Sequence, residues 1–129
     1  MSSGLIPISP GLLALIQGGD KSLMPFVKEL VVLECHVAGT SYLELKEVEP
    51  TLSINDKFFL LREPDNPHDS FAVAIYTAQK VKLGFLPMSK NESVARLLDA
   101  GKLIFAVLAS KEWQDEWLKL SVKVFYLDH

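Results

Sequence analysis

The chain has 129 residues, enough for one domain that buries about two-thirds of the surface its unfolded form exposes. Hydrophobic residues make up 49% and charged residues 22%, which argues against disorder. A net charge of −3 excludes a global electrostatic pull towards nucleic acid, so any phosphate binding must come from a local patch.

Acids outnumber bases before Lys57, whereas Lys80, Lys82, Lys90, Arg96, Lys102, Lys119 and Lys123 nearly balance the acids after it. Cys35 is the one cysteine, which rules out an intrachain disulfide and fits a reducing compartment. Residues 5–16 are apolar but lack a basic flank, contain Pro7 and Pro10, and are too short to span a bilayer. The expected location is the cytoplasm.

In chain order, Ser9 and Pro10 suit the N-cap and first position of a short helix, and Gly18-Gly19 suits its stop. Leu12, Leu15 and Ile16 give this helix an apolar stripe, fit either for docking another chain or for covering the chain's own core. Apolar stripes usually bury at home, which favours the cover. A further helical turn is expected over 22–29. Residues 1–30 thus form a helical extension ahead of a domain spanning 31–129.

From Leu30 the period changes to two: Val31, Leu33, Cys35 and Val37 alternate with Val32, Glu34, His36 and Ala38, the spacing of a strand. Cys35 falls on the apolar phase and reads as packing. Residues 42–48 also alternate and predict a second strand. Asn55-Asp56 turns the chain into a strand over 57–62, and 71–76 is so uniformly apolar that it predicts a strand buried on both faces. Residues 81–86 complete a hairpin with it. Ser89-Lys90-Asn91-Glu92 has the form of a capping box opening a helix, with Val94, Leu97 and Leu98 as its buried stripe and Gly101 as its stop. Residues 103–109 and 117–127 predict the last strands, with Trp113 in a loop over 110–116. Short strands with frequent turns indicate a mainly β fold, a small barrel of six to seven strands.

The polar stretch Arg62-Glu63-Pro64-Asp65-Asn66-Pro67-His68-Asp69 lies between two of these strands. Each proline fixes its own φ and restrains the residue before it, while Asp and Asn side chains bond nearby backbone N–H groups. The loop is therefore expected to be rigid without being buried, a common setting for binding groups. Asp65, His68 and Asp69 have the chemistry of a general base, but no nucleophile or phosphate-binding glycine loop is tied to them. Asp65, Asn66 and Asp69 lack the spacing of a calcium loop, and one cysteine beside one histidine makes no zinc site. No enzyme activity, cofactor or metal is expected.

R-E-P-D-N-P-H-D-x-x-A-V, followed by Val81-Lys82-Leu83-Gly84-Phe85-Leu86-Pro87 and preceded by Val37-Ala38-Gly39-Thr40-Ser41-Tyr42, resembles the HIRAN domain family over roughly residues 33–127. The resemblance implies a compact OB-like or SH3-like barrel with one helix after the G-F-L-P turn. It further implies a free-standing, bacterial-type module without catalysis. HIRAN domains joined to Swi/Snf-type DNA translocases recognise the free 3′ end of single-stranded DNA by stacking bases on aromatic rings and accepting the 3′-hydroxyl proton with polar loop groups. Carried over by position, this implies nucleic-acid contacts by Tyr42, Asn66, His68, Asp69 and Phe85, with Trp113 as a further ring and Lys82, Lys90 or Lys123 at phosphates. Each residue has a structural reading beside this one: Asp69 and Arg62 as loop clamps, Phe85 as core, Trp113 as cover for a barrel end.

The chain departs from the DNA-binding members at Ser41-Tyr42-Leu43, where they carry Arg-Tyr-Tyr. It departs again at Met88, where a base is usual, and at Phe71, where asparagine is. The implied partners are single-stranded DNA and a helicase or nuclease acting in DNA repair. The alternative is a protein-interaction module using the barrel face or the N-terminal helix.

Overall fold

The computed structural model describes residues 28–40 and 45–128. Among them are six strands: β1 (Lys28–His36), β2 (Lys57–Arg62), β3 (Val73–Tyr76), β4 (Lys82–Phe85), β5 (Leu103–Gln114) and β6 (Trp117–Asp128). One helix, α1 (Glu92–Asp99), lies between β4 and β5. The strands form one antiparallel sheet in the order β1-β6-β5-β2-β3-β4.

The sheet curls into a half-barrel whose two edges are joined at one point among the described residues. Just past β1, Ala38 bridges Phe85 at the end of β4, with N–H···O distances of 2.7 and 2.9 Å in the two directions. This contact requires Gly84. A Cβ there would lie 2.3 Å from the Ala38 carbonyl oxygen and 2.7 Å from Val37 Cγ1, and the glycine's φ is +155°. The glycine of the G-F-L-P motif is thus the residue that lets the two edges approach.

Alternation along the strands fills two cores. Phe58 and Leu60 of β2 point inwards with Val73, Ile75, Leu83, Ile104, Ala106, Leu108, Leu120, Val122 and Val124. On the opposite face Phe59, Phe105 and Leu127 form a second cluster, in which the Phe105 and Phe125 rings stack at 5.5 Å. Burying a phenylalanine such as Phe59 contributes about 1.5–3 kcal/mol. Val73, Ala74 and Ile75 are all fully buried, the two-sided burial that the apolar run over 71–76 implies. Cys35 packs against the inner core, and burial pushes its thiol up to about 11, so it is protonated at neutral pH.

Four expectations are corrected. Residues 45–48 are turns, not strand, and Glu49–Thr51 form a 3-10 turn with Pro50 in its first positions. Leu45 and Leu52 are buried and Val48 packs against the core, a spacing of three and four that belongs to helical turns. Bonds from the Val48 and Glu49 N–H groups to the Leu45 carbonyl fix that geometry. Trp113 stands on β5 rather than in a loop, because β5 and β6 pair through to Gln114 and Trp117 and leave Asp115 and Glu116 as the turn. The capping box does not form: Asn91 occupies the N-cap of α1 and no side chain caps the helix. Lys28 and Glu29 belong to β1, not to a helical turn. The helix expected over residues 10–16 lies outside the described residues, as does the rest of the 22–29 turn.

Candidate functional site

The loop over 63–72 is three consecutive turns, each beginning on the residue that ends the one before. Asn66 N–H bonds the Glu63 carbonyl at 3.0 Å, Asp69 N–H the Asn66 carbonyl at 3.4 Å, and Ala72 N–H the Asp69 carbonyl at 3.2 Å. Pro64 and Pro67 take the second position of the first two turns, where a fixed φ near −65° is favoured. Asn66 and Asp69 begin the second and third turns. Their side-chain oxygens accept the N–H two residues on, from His68 and Phe71, both at 2.9 Å. The E-P-D-N-P-H-D wording is therefore a period-three instruction for a stiff loop.

Two ties anchor this loop. Arg62, largely buried, donates to the carbonyls of Ala72 and Ser70 at 2.8 and 2.9 Å and pairs with Asp99 at 3.0 Å. It is a clamp, and its carboxylate partner is Asp99 rather than Asp69. At the other end of α1, buried Asn91 donates its side-chain N–H to Asp69 Oδ2 at 2.6 Å. The Asn91 backbone is right-handed helical (φ −93°, ψ −19°) rather than extended as a capping residue's is, and its side chain is turned to Asp69, so the helix N-terminus has no side-chain cap. Loop and helix are held together at both ends of the helix.

Beside the loop, where the two edges are joined, runs a largely apolar groove of about 510 Å³. It is lined by Ala38, Gly39, Asn66, His68, Asp69, Ala72, Lys82, Phe85, Leu86 and Met88. Five residues singled out in the sequence thus come together: Asn66, His68 and Asp69 from the loop, Lys82 and Phe85 from β4. His68 is exposed and Met88, at 67% exposure, is the most open large apolar side chain described. Phe85 is half-buried rather than core, with the Lys82 ammonium 4.3 Å from its ring centre.

The same ammonium bonds Glu63 Oε2 at 2.9 Å, and Asn66 Nδ2 donates to Glu63 Oε1 at 3.2 Å. Glu63 so joins the loop to β4. Each Asp69 oxygen accepts one hydrogen bond, which leaves carboxylate lone pairs for another donor.

Trp113 is not part of the groove. Its indole N–H donates to Glu49 Oε1 at 3.2 Å, and Lys111 bonds Glu49 Oε2 at 2.6 Å. The Lys111 ammonium and then the Trp113 N–H hold the Glu49 carboxyl below its ordinary pKa. Tyr42 lies outside the described residues. Lys123 pairs with Glu34 at 3.5 Å, away from the groove. A second recess, about 540 Å³, is bounded by Thr51, Asp56, Lys57, Thr77 and Gln79 at the opposite end of β2 and includes none of the singled-out residues. No group of three or more His, Cys, Asp or Glu among the described residues is placed to hold a metal ion, and no described helix is long and apolar enough to cross a membrane.

Sequence reading missed Glu63, Asn91 and Met88. The first two carried a signal, a carboxylate and an amide beside the motifs, but their partners are distant in the chain. Met88 follows the G-F-L-P turn directly and was noted only for not being basic.

Among curated proteins none matches the chain. Two crystal structures share its fold. A protein from Lactobacillus plantarum superposes with a TM-score of 0.73 at 24% identity, over 80% of this chain and 99% of that one. The HIRAN domain of human HLTF superposes with a TM-score of 0.61 at 19% identity, over 77% of this chain and 78% of that one. The HIRAN domain model matches residues 30–126, well over half of the chain, and the chain belongs to the HIRAN domain family.

Proposed function

We propose that this chain is a non-catalytic nucleic-acid-binding module whose groove takes the terminal nucleotide of single-stranded DNA, with a free 3′ hydroxyl as the preferred end. The observation that carries the reading is the convergence of residues from two separate motifs, Asn66, His68 and Asp69 with Phe85 and Lys82, on one groove. Membership of a family of nucleic-acid-binding domains supports it.

The chemistry follows from the lining. A base has an apolar face and needs an apolar slot; Phe85, Met88, Leu86 and Ala72 offer one. Stacking or packing of one base is worth about 1–3 kcal/mol without any base-specific hydrogen bond. Asp69, fixed by Asn91 and the Phe71 N–H, presents a carboxylate that accepts a hydroxyl proton and repels a phosphate. The family resemblance adds Tyr42, three residues along the chain from groove-lining Gly39, as a further stacking ring. The biological setting we propose is DNA processing or repair in the cytoplasm, beside a helicase or nuclease that exposes single-stranded ends.

The test is a fluorescence anisotropy titration with oligonucleotides that differ only in a 3′ hydroxyl or a 3′ phosphate, at several salt concentrations. The hydroxyl end is expected to bind at least about tenfold tighter, and Asp69→Asn to erase most of that preference. No binding at low salt, where phosphate contacts are strongest, would refute the reading and favour a protein partner for the groove.

A further inference from the structure

We infer that Glu63 is a specificity-determining residue that withholds Lys82 from anions, so that the groove discriminates against phosphate even though it contains a lysine. The inference refines the proposed function but has a test that does not depend on it. Lys82 is the lysine lining the groove. Its ammonium is held on two sides, by Glu63 Oε2 at 2.9 Å and by the Phe85 ring at 4.3 Å. Both side chains of the ion pair are only about a third exposed, 32% for Lys82 and 30% for Glu63, so solvent screens the pair less than it would a surface pair.

Glu63 is itself immobilised. Its backbone N–H bonds the Ala72 carbonyl at 2.9 Å, at the base of the loop, and its other carboxylate oxygen accepts from Asn66 at 3.2 Å. A carboxylate fixed in this way loses little further entropy in holding the lysine. An incoming phosphate must either displace it or approach an ammonium that is already neutralised, with Asp69 on the same groove adding repulsion. Phosphate contacts supply most non-specific affinity for nucleic acid, so a groove whose lysine is neutralised selects for an uncharged end.

Glu63→Gln keeps the shape and the oxygen that accepts from Asn66 while removing the charge. The probe is inorganic phosphate, followed by 1H–15N shifts of the full chain. In the wild type the groove amides of Asn66, His68 and Phe85 should not move. In Glu63→Gln they should titrate, and Lys82→Met added to that variant should abolish the response.

With oligonucleotides, Glu63→Gln should tighten 3′-phosphate binding about tenfold, narrowing the hydroxyl preference. It should also steepen the salt slope by roughly 0.7, one added phosphate contact on a single strand. Equal phosphate responses in wild type and Glu63→Gln would overturn the inference, as would a Glu63→Gln response that survives Lys82→Met. If Glu63→Gln takes up phosphate but neither protein binds oligonucleotide, the withholding stands and the nucleic-acid reading fails. If both bind oligonucleotide with the same slope and preference, the reverse holds.

Discussion

The loop over 63–72 and the β5–β6 hairpin both display groups that a binding site would use, yet it is the loop that borders the groove where Asn66, His68, Asp69, Lys82 and Phe85 meet. The recess beside the hairpin is lined by His36, Ser110, Lys119 and Ser121. In the loop, the Glu63, Asn66 and Asp69 side chains are all bonded to neighbours, and this internal bonding makes a stiff wall against which β4 leaves open space. In the hairpin, the large ring of Trp113 is 39% exposed but is tied through Glu49 to the 3-10 turn, which leaves it away from the groove. An exposed aromatic is therefore weaker evidence of a site than a set of satisfied polar residues that enclose apolar space.

Breaking the loop side of this contrast at its foundation should have the largest effect. Gly84→Ala places a methyl group 2.3 Å from the Ala38 carbonyl oxygen, where backbone must move. A loss of about 3 kcal/mol is expected, the upper range for overpacking, together with separation of the Ala38–Phe85 bridge that floors the groove. Chemical denaturation gives the energy, and amide hydrogen exchange at Ala38 and Phe85 reports the bridge. An unchanged denaturation midpoint would mean that the approach of the two edges does not depend on this glycine.

A smaller effect is expected from Asn91→Ala, which leaves Asp69 with one fixed oxygen instead of two. Removing a buried donor of this kind costs about 1–3 kcal/mol. Exchange should quicken at Phe71 and Ala72 while the hairpin amides of Trp113 and Leu118 stay protected. Uniform loosening of both regions would show that Asn91 serves the whole barrel and not the loop.

The smallest effect belongs to the hairpin. Because Lys111 and Trp113 lower the folded-state pKa of Glu49, the tie contributes stability above the ordinary glutamate pKa and loses it as pH falls through the lowered value. Trp113 fluorescence should change in that acid range, and Glu49→Gln should remove the transition. Neither change should alter the groove, so a parallel shift at His68 or Phe85 would erase the distinction between the two regions.

Much of this architecture was legible in the sequence because one-sided burial imposes a period of two, as in β6 and in β1 from Leu33 on, and two-sided burial imposes a solid apolar run, as in β3. At the start of β1 a bulge breaks the period, exposing Val31 and packing Val32 on the core. The loop was legible for a different reason: proline at second turn positions and Asn or Asp at first ones act locally. What failed was whatever depends on distant partners. Asn91 reads as part of a cap until Asp69 is placed 2.6 Å away, and the alternation misleads at 45–48 because Leu45, Val48 and Leu52 satisfy a helical turn equally well. The ion pair between Lys82 and Glu63, 2.9 Å apart across 19 residues of chain, likewise left no sign in the sequence.

The central claim, that the groove beside the loop receives a single-stranded end, is tested most directly by mapping a short 3′-hydroxyl oligonucleotide onto the chain by 1H–15N shift perturbation at low salt. The account predicts that the amides of Ala38, Gly39, Asn66, His68, Phe85 and Met88 shift together with one dissociation constant, while those of Glu112, Trp113 and Gln114 stay in place. Perturbation centred on the hairpin, or none anywhere at saturating oligonucleotide, would contradict it.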